Sequence, residues 1–361
     1  MGWADSNYNH KKEVTIANAK VAGNEDDFPV LIKITDTDLQ GCLANGYDIK
    51  FYESTESTQL KHERVFFDNS TGELLAWVKI PSLSGSVDTV FYMYYEYPSE
   101  TVDQADPENT WDDHYMMVQH MQAANWGATD DSTSNNNDAD GESGDPTYQQ
   151  TGKIRKCVDF DGSDYIRFGG AASLKPTNVT IEAWGKRDAS VNARTFFQMP
   201  YDDGGDWNAP YVAYGLHRSA AGAITMHVNH GGTYHGVTDG AALTVGEWYH
   251  LVGTFDGSTI TFYKNGSDVA HEDYSGDITY SGTPLLLVGM RSIPAAGEWW
   301  IGGAEELRIS DILRSANWIS TEYESQNDPA NFMGFGSEES PPPVAAKIPR
   351  HSGTPGMPHI I

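Results

Sequence analysis

The chain has 361 residues, 39% of them hydrophobic and 12% aromatic, which supports packed cores and excludes a disordered polymer. A formal charge of −28 argues against nucleic acid and anionic lipid as partners. No apolar run approaches the length of a membrane-spanning helix, so membrane insertion is not expected. Thirty-six Gly, together with abundant Asn, Asp, Ser and Thr, predict a turn-rich, all-β protein. The length suits two antiparallel β-sandwich (jelly-roll) domains in tandem, each with its own core. Between Lys79 and Lys153 there are 14 Asp and Glu and no Lys or Arg, a field that attracts cations. The two cysteines, Cys42 and Cys157, fall in different predicted domains and outside any Cys-x-x-Cys pair, so they read as free buried thiols.

The N-terminal Met-Gly-Trp-Ala-Asp-Ser has neither a basic nor an apolar leader region. Either a signal peptide has been removed ahead of Met1, or export does not use one. Alternating strands are predicted at 13–16, 28–34, 48–52, 74–80 and 89–95, separated by Asn/Gly/Asp/Ser clusters. Pro81 is expected to end the fourth, where its missing N–H costs least. The segments Asp27-Phe-Pro-Val-Leu-Ile32, Gly46-Tyr-Asp-Ile-Lys-Phe51, Leu75-Ala-Trp-Val-Lys-Ile-Pro81 and Val90-Phe-Tyr-Met-Tyr-Tyr-Glu96 resemble, in that order, the domain of unknown function numbered 2341. That family's usual Tyr-Gly ending is Tyr95-Glu96 here. The resemblance implies a β-sandwich over residues 1–97 and no activity.

Residues 98–110 read as an acidic linker. A second domain is predicted over 111–337, opening on the alternating Trp111–Met121. The Asx-rich loop 131–141 then leads into 151–168, a strand broken by Asp161-Gly-Ser-Asp164. Further strands are expected at Val179–Trp184, Trp248–Phe255, Thr259–Lys264, with Asn265-Gly266 as a hairpin turn, and Ile301–Ser310. Together these segments resemble the concanavalin-A-like, laminin-G-like jelly roll. One helix is expected at 315–325, capped by Ser315, with Trp318, Ile319 and Tyr323 on one face. From Glu338 the chain turns Pro-rich. Residues 340–361 carry Lys347, Arg350 and the apolar Ile360-Ile361, and read as a tail or as an anchoring arm for capsid or other virion subunits.

Catalysis is disfavoured. The concanavalin-like fold hosts glycoside hydrolases, which need two carboxylates roughly 5–10 Å apart, yet no Glu-x-Asp-x-x-Glu run is present and adjacent Glu305 and Glu306 should point to opposite faces. Asn136, Asp138 and Asp140 imitate half an EF-hand loop, but Thr147 stands where its closing Glu is needed, so Asx turns are expected instead. A structural calcium is expected at the sandwich rim, as the laminin-G resemblance implies, held by Asp161 and Asp164 with Glu305 or Glu306. His227, His230 and His235 have poor zinc spacing and read as exposed hairpin residues. For a ligand, the aromatic- and Asp-rich stretch 201–211 is the strongest candidate. Trp207, Tyr211, Tyr234 and His235 would stack on and hydrogen-bond a glycan, with Tyr214, Trp299 and Trp300 nearby in strand order.

These features point to a non-enzymatic, externally displayed adhesion or glycan-binding protein. Its native-looking Met1, acidic body and contrasting arm favour a virion surface protein, a capsid decoration or fibre subunit, over a secreted bacterial adhesin. A glycoside hydrolase is the remaining alternative. The partner expected is a cell-surface glycan or other surface ligand, and the location extracellular or on the virion.

Overall fold

A computed structural model describes residues 3–189, 195–201, 211–219, 222–291 and 298–342. The fold is nearly all β and antiparallel, with four sheets among the described residues. Residues 10–95 supply most of a five-stranded sheet and all of a three-stranded sheet, which close on each other through Val14, Ile16, Phe28, Val30, Ile32, Phe51, Leu74 and Phe91. Residues 115–310 supply an eight-stranded and a seven-stranded sheet, packed through Val158, Phe160, Ile181, Ala183, Phe197, Leu216, Met226 and Leu307. The strands form where the sequence alternates, because one face of each must be buried.

The two sandwiches are stacked, not strung. Leu75 and Trp77, on the outer face of the three-stranded sheet, share a hydrophobic cluster with Trp111, Tyr115, Val118, Ile154 and Trp184. The three-stranded sheet is therefore buried on both sides, and the eight-stranded sheet has the first sandwich on its back. The predicted linker is part of this contact. Pro107–Thr110 forms a helical turn, Trp111 is buried against Trp77 at 5.4 Å, and Arg64 grips Asp103 with two hydrogen bonds of 2.9 and 2.8 Å. Helix Ala316–Asn327 wedges between the sandwiches. Ser315 Oγ caps it by accepting from Trp318 N at 3.0 Å, while Thr321 and Ser325 accept from Ala22 N and Leu31 N of the first sandwich. Its inward face is partly polar, with Glu322, Ser325 and Gln326 buried beside Trp318 and Ile319 and Tyr323 only half-buried.

Three further local findings depart from the sequence reading. Strand Glu73–Leu83 runs through Pro81, because the neighbouring strand His62–Asp68 ends first and leaves nothing for an N–H at 81 to pair with. The chain returns to the first sandwich at its end: Met333–Phe335 pairs with Val14–Ile16, and Glu339 exchanges main-chain hydrogen bonds with Lys11. The third concerns Glu305 and Glu306. Strand Ile301–Ser310 has a bulge there, with Glu306 at φ 52°. Ala304, Leu307 and Ile309 point into the core, so both carboxylates face outward, not to opposite sides. Cys42 and Cys157 are free and buried, and among the described residues no helix is long and apolar enough to cross a membrane.

Candidate functional site

Two places gather chemistry-bearing side chains: the seam between the sandwiches and the outer face of the seven-stranded sheet. At the seam a cleft of about 400 Å3 is lined by Glu63, Arg64, Gln119, His120, Gln122 and Asp131 among others. Behind it lies a Ser-His-Glu arrangement, with Ser132 Oγ 3.3 Å from His120 Nε2 and His120 Nδ1 2.9 Å from Glu306. This is not a nucleophile and its base. Glu63 sits on the same side, 3.1 Å from His120 Nε2, and accepts from Ser132 Oγ at 2.6 Å and Trp111 Nε1 at 2.8 Å. Burial alone would depress the imidazole, but Glu306 and Glu63 together raise it to about 10. His120 is a cation with both nitrogens committed as donors, and a cation cannot take a serine proton.

The cluster continues inward as a clasp. Arg308 pairs with Glu306 at 2.9 Å and with Glu322, and approaches Glu182 at 3.5 Å. Its guanidinium lies over Trp77 at 4.4 Å and Trp111 at 4.9 Å. Glu182 also meets His250 at 2.8 Å. Burial opposes its ionisation, yet Arg308 and His250 hold it down to about 2. Burial and the charge of Glu182 push Glu322 well up. Arg314 completes the seam with a two-pronged pair to Asp112 at 2.6 and 2.7 Å. These groups come from the first sandwich, the connecting segment, the eight-stranded sheet and the helix. They face one another, not a ligand.

The outer sheet is different. Strands Thr195–Pro200, Val212–Arg218, Ile224–His230 and Thr233–Thr238 lie side by side, and a pocket of about 270 Å3 opens on the face away from the core. Its lining is Gln198, Tyr211, Val212, His217, His227, Tyr234, Arg291 and Glu298. Tyr211 and Tyr234 remain 38% and 44% exposed, while Phe196, Phe197 and Tyr214 of the same sheet are buried, so two rings are partly open to solvent at the rim. Tyr211 lies over the Arg291 guanidinium at 4.9 Å, and Arg291 pairs with Glu298 at 2.7 Å. Glu298 also stands 3.5 Å from His217 Nε2.

Beneath Tyr234, its hydroxyl bonds His227 Nε2 and the two rings lie 4.2 Å apart. Burial, then the neighbouring His217, depress His227 well below the ordinary histidine range, which favours the neutral ring. Gly236 makes room for this imidazole: a Cβ there would come within 2.5 Å of Nδ1.

Tyr211 and Tyr234, named from sequence, thus share one pocket. Trp207 lies outside the described residues. His235 is adjacent to Tyr234 on a strand, so it faces the other way, where it stacks on Tyr274 at 3.4 Å. Tyr214 is buried with its hydroxyl on Leu174 O, Trp300 packs on Phe196 at 4.6 Å, and Trp299 stacks on Tyr165, all away from the pocket lining. His227 is buried and not an exposed hairpin residue, while His230 bonds Asp277 O at 2.9 Å. His217, Gln198, Arg291 and Glu298 were not singled out from sequence, because they come together only when four strands and a distant loop are assembled.

The expected calcium ligands do not fit a cation cage. Asp161 accepts from Ser163 N and Oγ at 2.9 and 2.7 Å, and Asp164 from Asp161 N at 2.8 Å, which is an Asx turn satisfying its own backbone. Glu305 is spent elsewhere, accepting from the amides of Lys153, Ile154 and Arg155 at 2.6, 2.9 and 2.7 Å. Burial still lifts its carboxyl to about 8 against those amides, with Glu306 adding to the lift. Glu306 is held by His120 and Arg308. Among the described residues no three His, Cys, Asp or Glu side chains are grouped to hold an ion. In the loop 131–141, Asp131 likewise accepts from the amides of Val118, Thr133 and Asn137.

Residues 45–130 match the family model described as Domain of unknown function (DUF2341), and residues 160–320 match that of the Concanavalin A-like lectin/glucanases superfamily. The chain therefore carries a DUF2341 domain followed by a concanavalin-like, laminin-G-type domain, in the order the sequence motifs gave. Comparison with curated proteins yields no match. Among solved structures, domain 4 of AbnA, a GH43 extracellular arabinanase from Geobacillus stearothermophilus in complex with arabinotriose, is similar at 18% identity over 58% of this chain and 98% of that one, with a TM-score of 0.47. The binding domain of Paraclostridial Mosquitocidal Protein 1 is similar at 11% identity over 58% of this chain and 52% of that one, TM-score 0.46. The binding domain of Botulinum Neurotoxin DC in complex with SialylT is similar at 9% identity over 59% and 52%, TM-score 0.42. For the last two, the match takes in about half of the other chain.

Proposed function

We propose that this chain is a non-enzymatic glycan-binding protein displayed outside the cell, and that its ligand enters the pocket rimmed by Tyr211 and Tyr234. The observation that carries the reading is the pair of exposed rings over a pocket whose floor is polar and already ordered. Sugars present C–H faces to aromatic rings and hydroxyls to polar groups, and a pre-formed site loses little entropy on binding. Binding is favoured over hydrolysis because Glu298 is the one carboxylate lining the pocket among the described residues, and it is engaged by Arg291. A glycan array probed with the full chain and with Tyr234→Ala is the test. A discrete set of glycans retained by the parent and lost by the variant is expected. Equal retention by both would remove the pocket as the site.

For the setting, we favour a virion surface, as a capsid decoration or fibre subunit, with residues 340–361 as the anchoring arm. The acidic body and the basic, apolar composition of that arm support this over a secreted adhesin. Deleting 340–361 should abolish incorporation into particles while both domains stay folded. Normal incorporation of the truncated chain would contradict the anchoring role.

A further inference from the structure

We infer that the molecule has an attachment end and a ligand end: the assembly that carries this chain lies against the outer face of the five-stranded sheet, and the pocket of Tyr211 and Tyr234 faces away from it. This rests on the displayed-protein reading above and adds the surface through which display occurs.

The four sheets form an ordered stack. The five-stranded sheet packs on the three-stranded sheet, that sheet on the back of the eight-stranded one, and the eight-stranded on the seven-stranded. Sheets packed face to face sit about 10 Å apart, which separates the outermost two by about 30 Å. The pocket is on the last layer. Met226 and Val228 lie in the core, so His227 between them points outward into the pocket lining.

Both ends of the described chain lie on the first layer. Along strand Thr89–Tyr95, Phe91 and Met93 enter the core of the first sandwich, so Tyr92 and Tyr94 point outward, where they cluster with Tyr8. The segment that precedes the first strand crosses this face. Trp3 packs on Tyr94 at 5.4 Å, Ala4 N donates to Tyr94 Oη at 2.9 Å, and Asp5 pairs with Lys50 at 2.7 Å. At the other end of the chain, Met333–Phe335 pairs with Val14–Ile16 on the edge of the same sheet, and Glu339 exchanges main-chain bonds with Lys11. Whatever precedes residue 3 or follows residue 342 therefore leaves the molecule opposite the pocket. A carrier held there leaves the pocket clear by the depth of the stack. Tyr92 and Tyr94 are buried, so the rings of the attachment face are not open to a sugar.

The test is the accessibility of single cysteines in the full chain, on the virion or cell envelope that displays it, to a maleimide bearing a bulky polymer. Ser6→Cys and Ser57→Cys mark the five-stranded end, Ser57 being next to Glu56, which bonds Tyr94 Oη. Thr233→Cys marks the hairpin beside Tyr234. All three positions are exposed, while Cys42 and Cys157 are buried. On the displayed protein Ser6→Cys and Ser57→Cys should label several-fold more slowly than in the free chain, and Thr233→Cys at the free rate. With two variants at the five-stranded end, a folding defect in one leaves the comparison standing. Equal labelling at both ends, or protection of Thr233→Cys alone, would overturn the inference. Recovery of the chain only in the medium, with every cysteine labelling at the free rate, would overturn it too. No glycan enters this measurement: protection of the five-stranded end in a chain that retains nothing on a glycan array would retire the glycan reading and keep the orientation.

Discussion

The seam and the outer pocket are built from the same side chains: histidines, glutamates, an arginine and aromatic rings. At the seam His120 lies between two carboxylates, Arg308 meets three and is covered by Trp77 and Trp111, and exposure is near zero throughout. In the pocket Arg291 meets Glu298, the Tyr234 hydroxyl meets His227, and the rings of Tyr211 and Tyr234 are partly open to solvent. A buried polar cluster whose charges pair with one another can hold two sandwiches together, however much its spacing imitates a catalytic triad. A polar pocket beside part-exposed aromatic rings is where a ligand can be accommodated.

The sharpest way to break this contrast is at Arg308. Arg308→Ala leaves Glu182, Glu306 and Glu322 buried without their cation and should cost about 3–5 kcal/mol in chemical denaturation. Arg308→Met, which fills the space between the tryptophans, should cost less than the alanine. Equal and small losses would mean that the seam is not held as described. The same substitutions should leave glycan affinity per folded molecule unchanged.

The next effect is a pH dependence. His120 is raised from its ordinary 6.5 to about 10 by Glu306 and Glu63, against the depressing effect of burial. Its contribution is full below the unfolded value near 6.5 and disappears as pH climbs through about 10, so stability should fall across that window. Glu305, raised to about 8, gives a fall of the same sign over a lower range. His120→Gln should flatten the alkaline part of a melting-temperature profile and leave the lower part. An unchanged profile would show that His120 is not the titrating group.

Pocket substitutions act on binding and not on the fold. Tyr211→Ala and Tyr234→Ala should each weaken glycan binding by about 1–2 kcal/mol, the scale of one aromatic contact, with the melting temperature little changed. The smallest effect expected is that of a chelator: the Asp161–Asp164 turn uses its own backbone as partner, so the melting temperature should not move. A clear drop would place a cation on these carboxylates after all.

The layered β architecture was legible because alternation is a local signal. Val14 and Ile16, or Ile181 and Ala183, announce the buried face of their strands, and Ser315 announces the helix start. The bulge at Glu305-Glu306 was not legible, since two adjacent glutamates give no hint that the backbone turns both to one side. Nor was the docking of the segment 98–110, where acidic composition suggested solvent although Asp103, Asp106 and Trp111 have partners on the first sandwich. Of the pocket, Tyr211 and Tyr234 could be named, because aromatics beside glycine-rich turns are unusual enough to notice. Arg291, Glu298, His217 and Gln198 could not, being separated by up to a hundred residues and joined only by strand order.

The most direct test is a crystal structure of the full chain with the tightest-binding oligosaccharide. The sugar should lie against Tyr211 and Tyr234, with the Arg291–Glu298 pair intact. Sugar bound in the cleft at the seam beside His120 and Gln122, with the outer pocket vacant, would contradict the division of roles between the two regions.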